Sequence, residues 1–198
     1  MNQTIISGVI TNDVTYGHSV MGEAFYEFIL ASKRKSETSD YIKIVISERI
    51  IKPELLIAGT TIRIEGEFHS MNYVDETGKR RLDLFVFAKD ASIIDNDTEH
   101  ENNIELEGFI CREPSYRFTP KNRQITDLLL AVNRNYSKSD YVPVITWGRC
   151  AKYIKDYPVG TKVKLKGRLQ SRIYHKQVDD TIQEYTAYEV SAMAINVV

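Results

Sequence analysis

The sequence repeats itself. Laid over residues 101–147 without a gap, residues 1–47 match at ten positions. Asn2, Gly8, Ile10, Tyr16, Leu30, Ala31, Arg34, Ser39, Asp40 and Tyr41 meet Asn102, Gly108, Ile110, Tyr116, Leu130, Ala131, Arg134, Ser139, Asp140 and Tyr141. Chance gives about one identity in sixteen for average residue usage, so the ten mark a tandem duplication. Whatever one copy builds, the chain must build twice. One inserted residue then shifts the alignment, and Gly59, Gly66, Ser70, Tyr73 and Ala91 are expected to meet Gly160, Gly167, Ser171, Tyr174 and Ala192. Between the copies, "IDNDTEHENN" is acidic and without apolar residues after Ile94, which reads as a solvated linker. The expected domains are 1–95 and 102–198.

Each copy reads as five strands. Apolar stretches at 4–10 and 104–110 are followed by a polar turn. β-rich runs at 25–31 and 125–132 come next, and third strands at 41–46 and 141–147 follow. A short helical patch is expected at 150–157, and a weaker one at 48–56, where Pro53 intrudes. "KVKLKGRL" alternates Lys162, Lys164, Lys166 and Arg168 with Val163, Leu165, Gly167 and Leu169, the period of a half-buried strand. Last strands are expected at 82–94 and 185–195. Three strands, a short helix and two strands give the OB-fold order. A sandwich needs about seven strands and no helix. The expected fold is all-β with short helices, two tandem five-stranded OB barrels.

Composition narrows the function. No apolar stretch approaches the roughly 18 residues of a membrane helix, and "MNQTIISGVI" lacks the pattern of a signal peptide. Cys111 and Cys150 fit no disulfide framework or metal spacing, and reduced thiols are expected. His18, His69, His100 and His175 are scattered, without HxH or HExxH, and no phosphate loop or nucleophile elbow is present. Asp179 and Asp180 read as solvated turn residues. No enzyme, metal or cofactor is expected. The net charge of −1 hides an asymmetry: residues 1–100 hold 11 basic and 16 acidic residues, the remainder 15 and 11. A polyanion would favour the second half.

Aromatic residues carry the positive signal. In the second copy Phe118, Tyr136, Tyr141, Trp147 and Tyr174 stand among Arg117, Arg123, Arg134, Arg172 and Lys176. Rings offered beside cations make a stacking platform for unpaired bases while the cations track phosphates. Stacking accepts any base, so such a site is indifferent to sequence.

In "NNIELEGFI", "EPSYRFTP", "DLLLAVNRNY", "DYVPVITWGRCAKYI", "VGTKVKLKGRLQSRIY" and "YTAYEV" the second copy resembles the bacterial single-stranded-DNA-binding protein family over nearly all of 102–197. The resemblance implies that bases stack on Tyr136, Tyr141, Trp147 and Tyr174, with Arg172 and the Arg117–Phe118 pair beside them. It implies work in replication, recombination and repair, in the cytoplasm on the nucleoid. Family assemblies usually count four barrels, so a homodimer is expected. The first copy keeps Tyr41 and Tyr73 but has Ser36 and Ser47 where the second has Tyr136 and Trp147, and Arg63, Glu65 and Glu67 where it has Lys164, Lys166 and Arg168. It is expected to serve dimerisation, with weak strand contact at most. Arg34 and Arg134, present in both copies, are expected phosphate contacts. Family members usually carry a disordered, acid-tipped tail. Here "AINVV" follows the last strand directly, so recruitment of replication proteins by a tail is not expected.

Two rivals share these residues. A primosomal, replication-restart accessory protein is also OB-built. An OB protein-interaction module would bury the same aromatics as core. The sequence leaves single-stranded DNA and RNA undistinguished as ligands.

Overall fold

The computed structural model describes residues 1–76, 78–135, 138–178 and 181–198, with backbone alone for 174–176, 178, 181 and 183. Two closed barrels form, as the duplication predicts. The first contains β1 (Asn2–Ile10), β2 (Thr15–Val20), β3 (Glu23–Lys33), β4 (Ser39–Ser47), β5 (Thr61–Val74) and β6 (Arg80–Ile93). The second contains β7 (Asn102–Ile110), β8 (Ser115–Phe118), β9 (Gln124–Asn133), β10 (Ser139–Trp147), the helix α1 (Gly148–Ile154), β11 (Lys162–Val178) and β12 (Thr181–Val197). Antiparallel ladders run β2–β3–β4 and β6–β5–β1. A β1–β3 pairing and a parallel β4–β6 pairing close the ring. The second barrel repeats the scheme with β7–β9 and β10–β12.

Three differences from the sequence reading have physical causes. Each barrel gains a strand, β2 or β8, where a polar turn was expected. "TYGHSV" is exposed at every residue, so it leaves no alternation to find, and it is ordered by its ladder to β3. The first-copy helix is only a three-residue 3₁₀ turn, Pro53–Leu55, because proline cannot donate within a helix. The second-copy hairpin is longer, with arms of 17 residues against 14. Its extra residues move the last-strand alignment. Gly66 pairs with Ala88 and Gly167 with Ala192, so Ala88, not Ala91, is the counterpart of Ala192.

Both glycines sit where the partner strand bulges. A Cβ on Gly66 would lie 2.2 Å from the Phe87 carbonyl oxygen, and one on Gly167 2.3 Å from that of Ser191. The constraint is backbone approach, not turn geometry.

The barrels are joined by strand pairing. β1 runs antiparallel to β7, with Asn2 opposite Leu106, Thr4 opposite Ile104 and Ile6 opposite Asn102. Thr4 thus faces its own repeat counterpart, and an approximate twofold axis passes between them. One continuous core results, from Ile6, Phe28 and Phe68 to Ile104, Leu130 and Leu165. Burial of this kind contributes roughly 25 cal/mol per Å² of apolar surface.

The linker is not free. The Glu101 carbonyl accepts the Ser7 N–H at 2.9 Å, and the Glu101 N–H donates to the Ser7 hydroxyl at 2.7 Å. The Glu101 carboxylate takes the Arg63 guanidinium at 2.6 Å.

Candidate nucleic-acid interface

Trp147 closes β10, and Gly148 follows at φ +53°, a left-handed conformation that lets the chain turn directly into α1. The indole N–H donates to the Ser191 hydroxyl at 3.1 Å, which fixes the ring while leaving it half-exposed. A depression of about 410 Å³ lies beside it, lined by Asn122, Arg123, Gln124, Trp147 and Gly148. A tight turn presents Arg123: the Thr119 N–H donates to the Arg123 carbonyl at 2.9 Å, and the Arg123 N–H donates to the Thr119 hydroxyl at 3.1 Å. Among the described residues, the exposed side chains of Lys121, Arg123 and Arg149 pair with no carboxylate. This corner offers a fixed ring and uncommitted cations.

Strand alternation decides what shares that face. Tyr141 lies six residues earlier on β10, on the same side, at about 20 Å by strand rise, and is 41% exposed. Register places Trp147 opposite Ile125 and Ile125 opposite Arg117, so Arg117 shares the face too. Its guanidinium is held by Asp127 at 2.6 Å, which raises its pKa. Phe118, expected to act with Arg117, is the next residue and points to the other side. There it meets Tyr116 edge-on at 5.7 Å, and Lys155 sits over Tyr116. The pair is split between two surfaces.

Arg34 and Arg134 have another task than the one expected of them. Asp40 is fully buried and accepts from Arg34, from Arg168 at 2.8 Å and from the Ser171 N–H at 3.0 Å. Its twin Asp140 is equally buried and accepts from Arg134 at 2.7 Å and from the Ser70 N–H, with His69 Nδ1 2.9 Å away. Each aspartate belongs to one barrel and reaches the long arm of the other, so these are clamps between barrels. The Asp40 bond raises the Arg34 pKa. Burial opposes ionisation of Asp140, but the bonds from His69, the Ser70 amide and Arg134 outweigh it and hold the carboxyl below its usual range.

The clamps carry each hairpin across to its neighbour. The Tyr41 N–H donates to the Ser171 hydroxyl and the Tyr141 N–H to the Ser70 hydroxyl, both at 2.8 Å. Tyr73, 47% exposed, therefore rides on the arm that meets Tyr141, and the strand bearing Tyr174 meets Tyr41, 48% exposed. Arg81 lies 5.3 Å from the ring of Tyr185 where the arms meet. Burial between Asp83 and Lys43 raises the pKa of Tyr188. Arg172 is exposed on β11, 3.9 Å from Glu189. Tyr136 lies outside the described residues, as do the side chains of Tyr174 and Lys176. The lysine strip is largely committed: Lys162 pairs with Glu107 at 2.6 Å, Lys166 with Glu105 at 2.5 Å, and Arg168 with Asp40.

The sequence reading missed a run of rings on the first barrel. His18 stacks on Phe25 at 5.0 Å, Phe25 meets Phe87 at 5.7 Å, Phe87 meets His69 at 5.9 Å, and His69 meets Phe85 at 6.2 Å. The alternation in "LFVFA" was the available signal, since it turns Phe85 and Phe87 outward. Among the described residues no cluster of three or more His, Cys, Asp or Glu could hold a metal, and no helix is long and apolar enough to cross a membrane.

The model of the family described as "Single-strand binding protein family" matches residues 1–94 and 101–198. The chain is 31% identical over 83 residues to the single-stranded DNA-binding protein of Streptococcus mutans, covering 38% of this chain and 51% of that protein. It is 30% identical over 83 residues to single-stranded DNA-binding protein A of Bacillus subtilis, covering 38% and 48%. It thus spans about half the length of the curated relatives it matches. The crystal structure of the single-stranded DNA binding protein from Thermus aquaticus superposes on all of this chain and 92% of that one, with a TM-score of 0.79 at 20% identity. That likeness is one of fold.

Proposed function

The chain belongs to the single-strand binding protein family, and from that membership we propose that it binds single-stranded DNA without sequence preference, chiefly through the second barrel. The observation that carries this is the corner at Trp147, where a fixed indole borders a depression shared with Arg123 and flanked by Lys121 and Arg149. A base lying on the indole would place its phosphates among these cations, and each stack is worth about 1–3 kcal/mol. Tyr141 continues the platform along β10, and Tyr73, carried over from the first barrel, borders it. Tyr136, Tyr174, Arg172 and Lys176 remain proposed contacts, as does Tyr41 on the first barrel. Arg34 and Arg134 serve first as clamps, and Arg117 as a cation tethered to Asp127. The protein holds its ligand without transforming it, works on the nucleoid in the cytoplasm, and pairs with a second copy to give four barrels.

Trp147 is the only tryptophan, so its fluorescence reports the site directly. Titration with oligo(dT) is expected to quench it, with an affinity that falls as salt rises. Unchanged emission at saturating oligonucleotide, with binding detected by another signal, removes Trp147 from the interface. A parallel titration with oligo(U) ranks DNA against RNA.

A further inference from the structure

The twofold axis at Thr4 and Ile104 gives each barrel a groove beside the loop that leaves its second long strand, and the two grooves differ. On the first barrel the linker forms one wall. The Lys33 N–H donates to His100 Nδ1 at 2.8 Å, the Ser32 hydroxyl to the Glu101 carbonyl at 3.4 Å, and the Lys35 ammonium lies 3.8 Å from Glu99. Burial and the nearby Lys33 lower the His100 pKa, in keeping with a neutral acceptor. The cavity between loop and linker, about 880 Å³, sets Lys33, Arg34, Lys35 and Arg168 against Asp97, Glu99 and Glu101. Its cations already face carboxylates.

The twin groove, about 450 Å³, is lined by Asn133, Arg134, Asn135 and Lys138 from the β9–β10 loop, and by Glu67 and His69 from the first barrel. Its single lining carboxylate among the described residues, Glu67, is bound by Lys89 and lies 3.3 Å from His69. Among the described residues Lys138 is exposed and meets no carboxylate, whereas Arg134 is held by Asp140 and its Nη2, without an acceptor, is buried. Asn133 and Asn135 add amide donors, while the Asn2 amide is tied to the Phe68 backbone. The groove is polar, and its one uncommitted cation among the described residues, Lys138, suits a single phosphate oxygen.

We infer that this second groove is a phosphate subsite for the bound strand, and that the linker carboxylates stand in the first groove where phosphates would lie. The inference rests on the single-stranded-DNA reading. Lys138 leads by three residues into Tyr141, so a strand whose base covers that ring runs its backbone past the groove. On the first barrel the same path meets Glu99 and Glu101, which adds a second reason, besides the missing tryptophan, for that copy to bind weakly.

The test is oligo(dT) titration of the intact chain by Trp147 fluorescence across a salt series. Each phosphate neutralised contributes about 0.7 to the slope of log K against log salt on a single strand. Lys138→Gln is expected to flatten the slope by about that amount while leaving the quench at saturation and the melting temperature unchanged. Lys138→Arg is expected to restore the slope. Glu99→Gln is expected to steepen it, by unmasking the first groove. An unchanged slope in Lys138→Gln overturns the subsite, and an unchanged slope in Glu99→Gln overturns the masking. Failure of the wild type to quench would instead strike the stacking reading itself.

Discussion

The corner that ends the third long strand shows how far the two barrels have parted. In the second barrel it holds Trp147, Arg123 and Arg149, with Ser191 accepting the indole N–H. In the first it holds Ser47, Glu23 and Arg49. There the Ser47 hydroxyl donates to the Glu23 carboxylate, Arg49 lies 3.3 Å from the same carboxylate, and Glu48 accepts the Ala24 N–H. The space of the missing indole is taken from another strand, because Phe87 stands where the second barrel has Ser191. One large and one small side chain fill each corner, but their positions are exchanged. Packing is conserved between the copies while the ring that faces solvent is not. Copies can therefore share a fold and differ in the rings they expose without any loss of core.

Deleting the clamps tests the comparison most severely. Asp140→Ala leaves Arg134 and His69 beside a buried gap, and Asp40→Ala leaves Arg34 and Arg168 facing each other. Breaking a buried pair costs about 3–5 kcal/mol. Asp40→Ala is expected to cost more in chemical unfolding, since both its orphans are permanently charged. The reverse order would mean that the clamps are not what distinguishes the two junctions. The Asp140 carboxyl titrates below its unfolded value of about 3.9. Its contribution is therefore complete above that value and is lost as pH falls through the lower, folded value. Melting temperatures between pH 2 and 5 are expected to fall less steeply in Asp140→Asn.

Exchanging the corner residues comes next. Trp147→Ser is expected to cost about 1–3 kcal/mol of binding, roughly 5–150-fold in Kd, read by anisotropy of a labelled oligonucleotide. Ser47→Trp is expected to gain no affinity and to lose about 1–3 kcal/mol of stability, because that side is already filled by Phe25 and Phe87. Improved binding by Ser47→Trp would show that the first barrel lacks only a ring. Arg123→Glu, which copies Glu23, is expected to flatten the salt slope by about 0.7. Thr4→Val carries the smallest effect. Among the described residues the buried Thr4 hydroxyl, opposite Ile104, has no partner. Its removal is expected to stabilise by up to about 1 kcal/mol, raising Tm by roughly 2–4 °C.

The sequence revealed what depends on one copy alone. The Lys162–Leu169 alternation marked a strand because its apolar side faces its own barrel's core. Trp147 stood out because it ends an apolar run beside basic residues. What depends on two copies was hidden. The burial of Asp40 is created by the arm bearing Arg168 and Ser171, 128 residues or more away along the chain, so Arg34 read as a free phosphate contact. Nor could local pattern show that Arg117 and Phe118 face opposite ways, since nothing in "EPSYRFTP" announces a strand.

The β1–β7 seam has a further consequence. Two identical subunits meeting across a twofold must present the same residue on both sides, so a substitution that suits one end is imposed on the other. Here the partners are covalently joined by a short connection, which holds them at an effective concentration in the millimolar range and frees each end to change alone. Arg168 facing Asp40 on one arm and its counterpart Glu67 on the other could not coexist in an isologous pair. Fusion released the halves from their mirror obligation while keeping them permanently assembled.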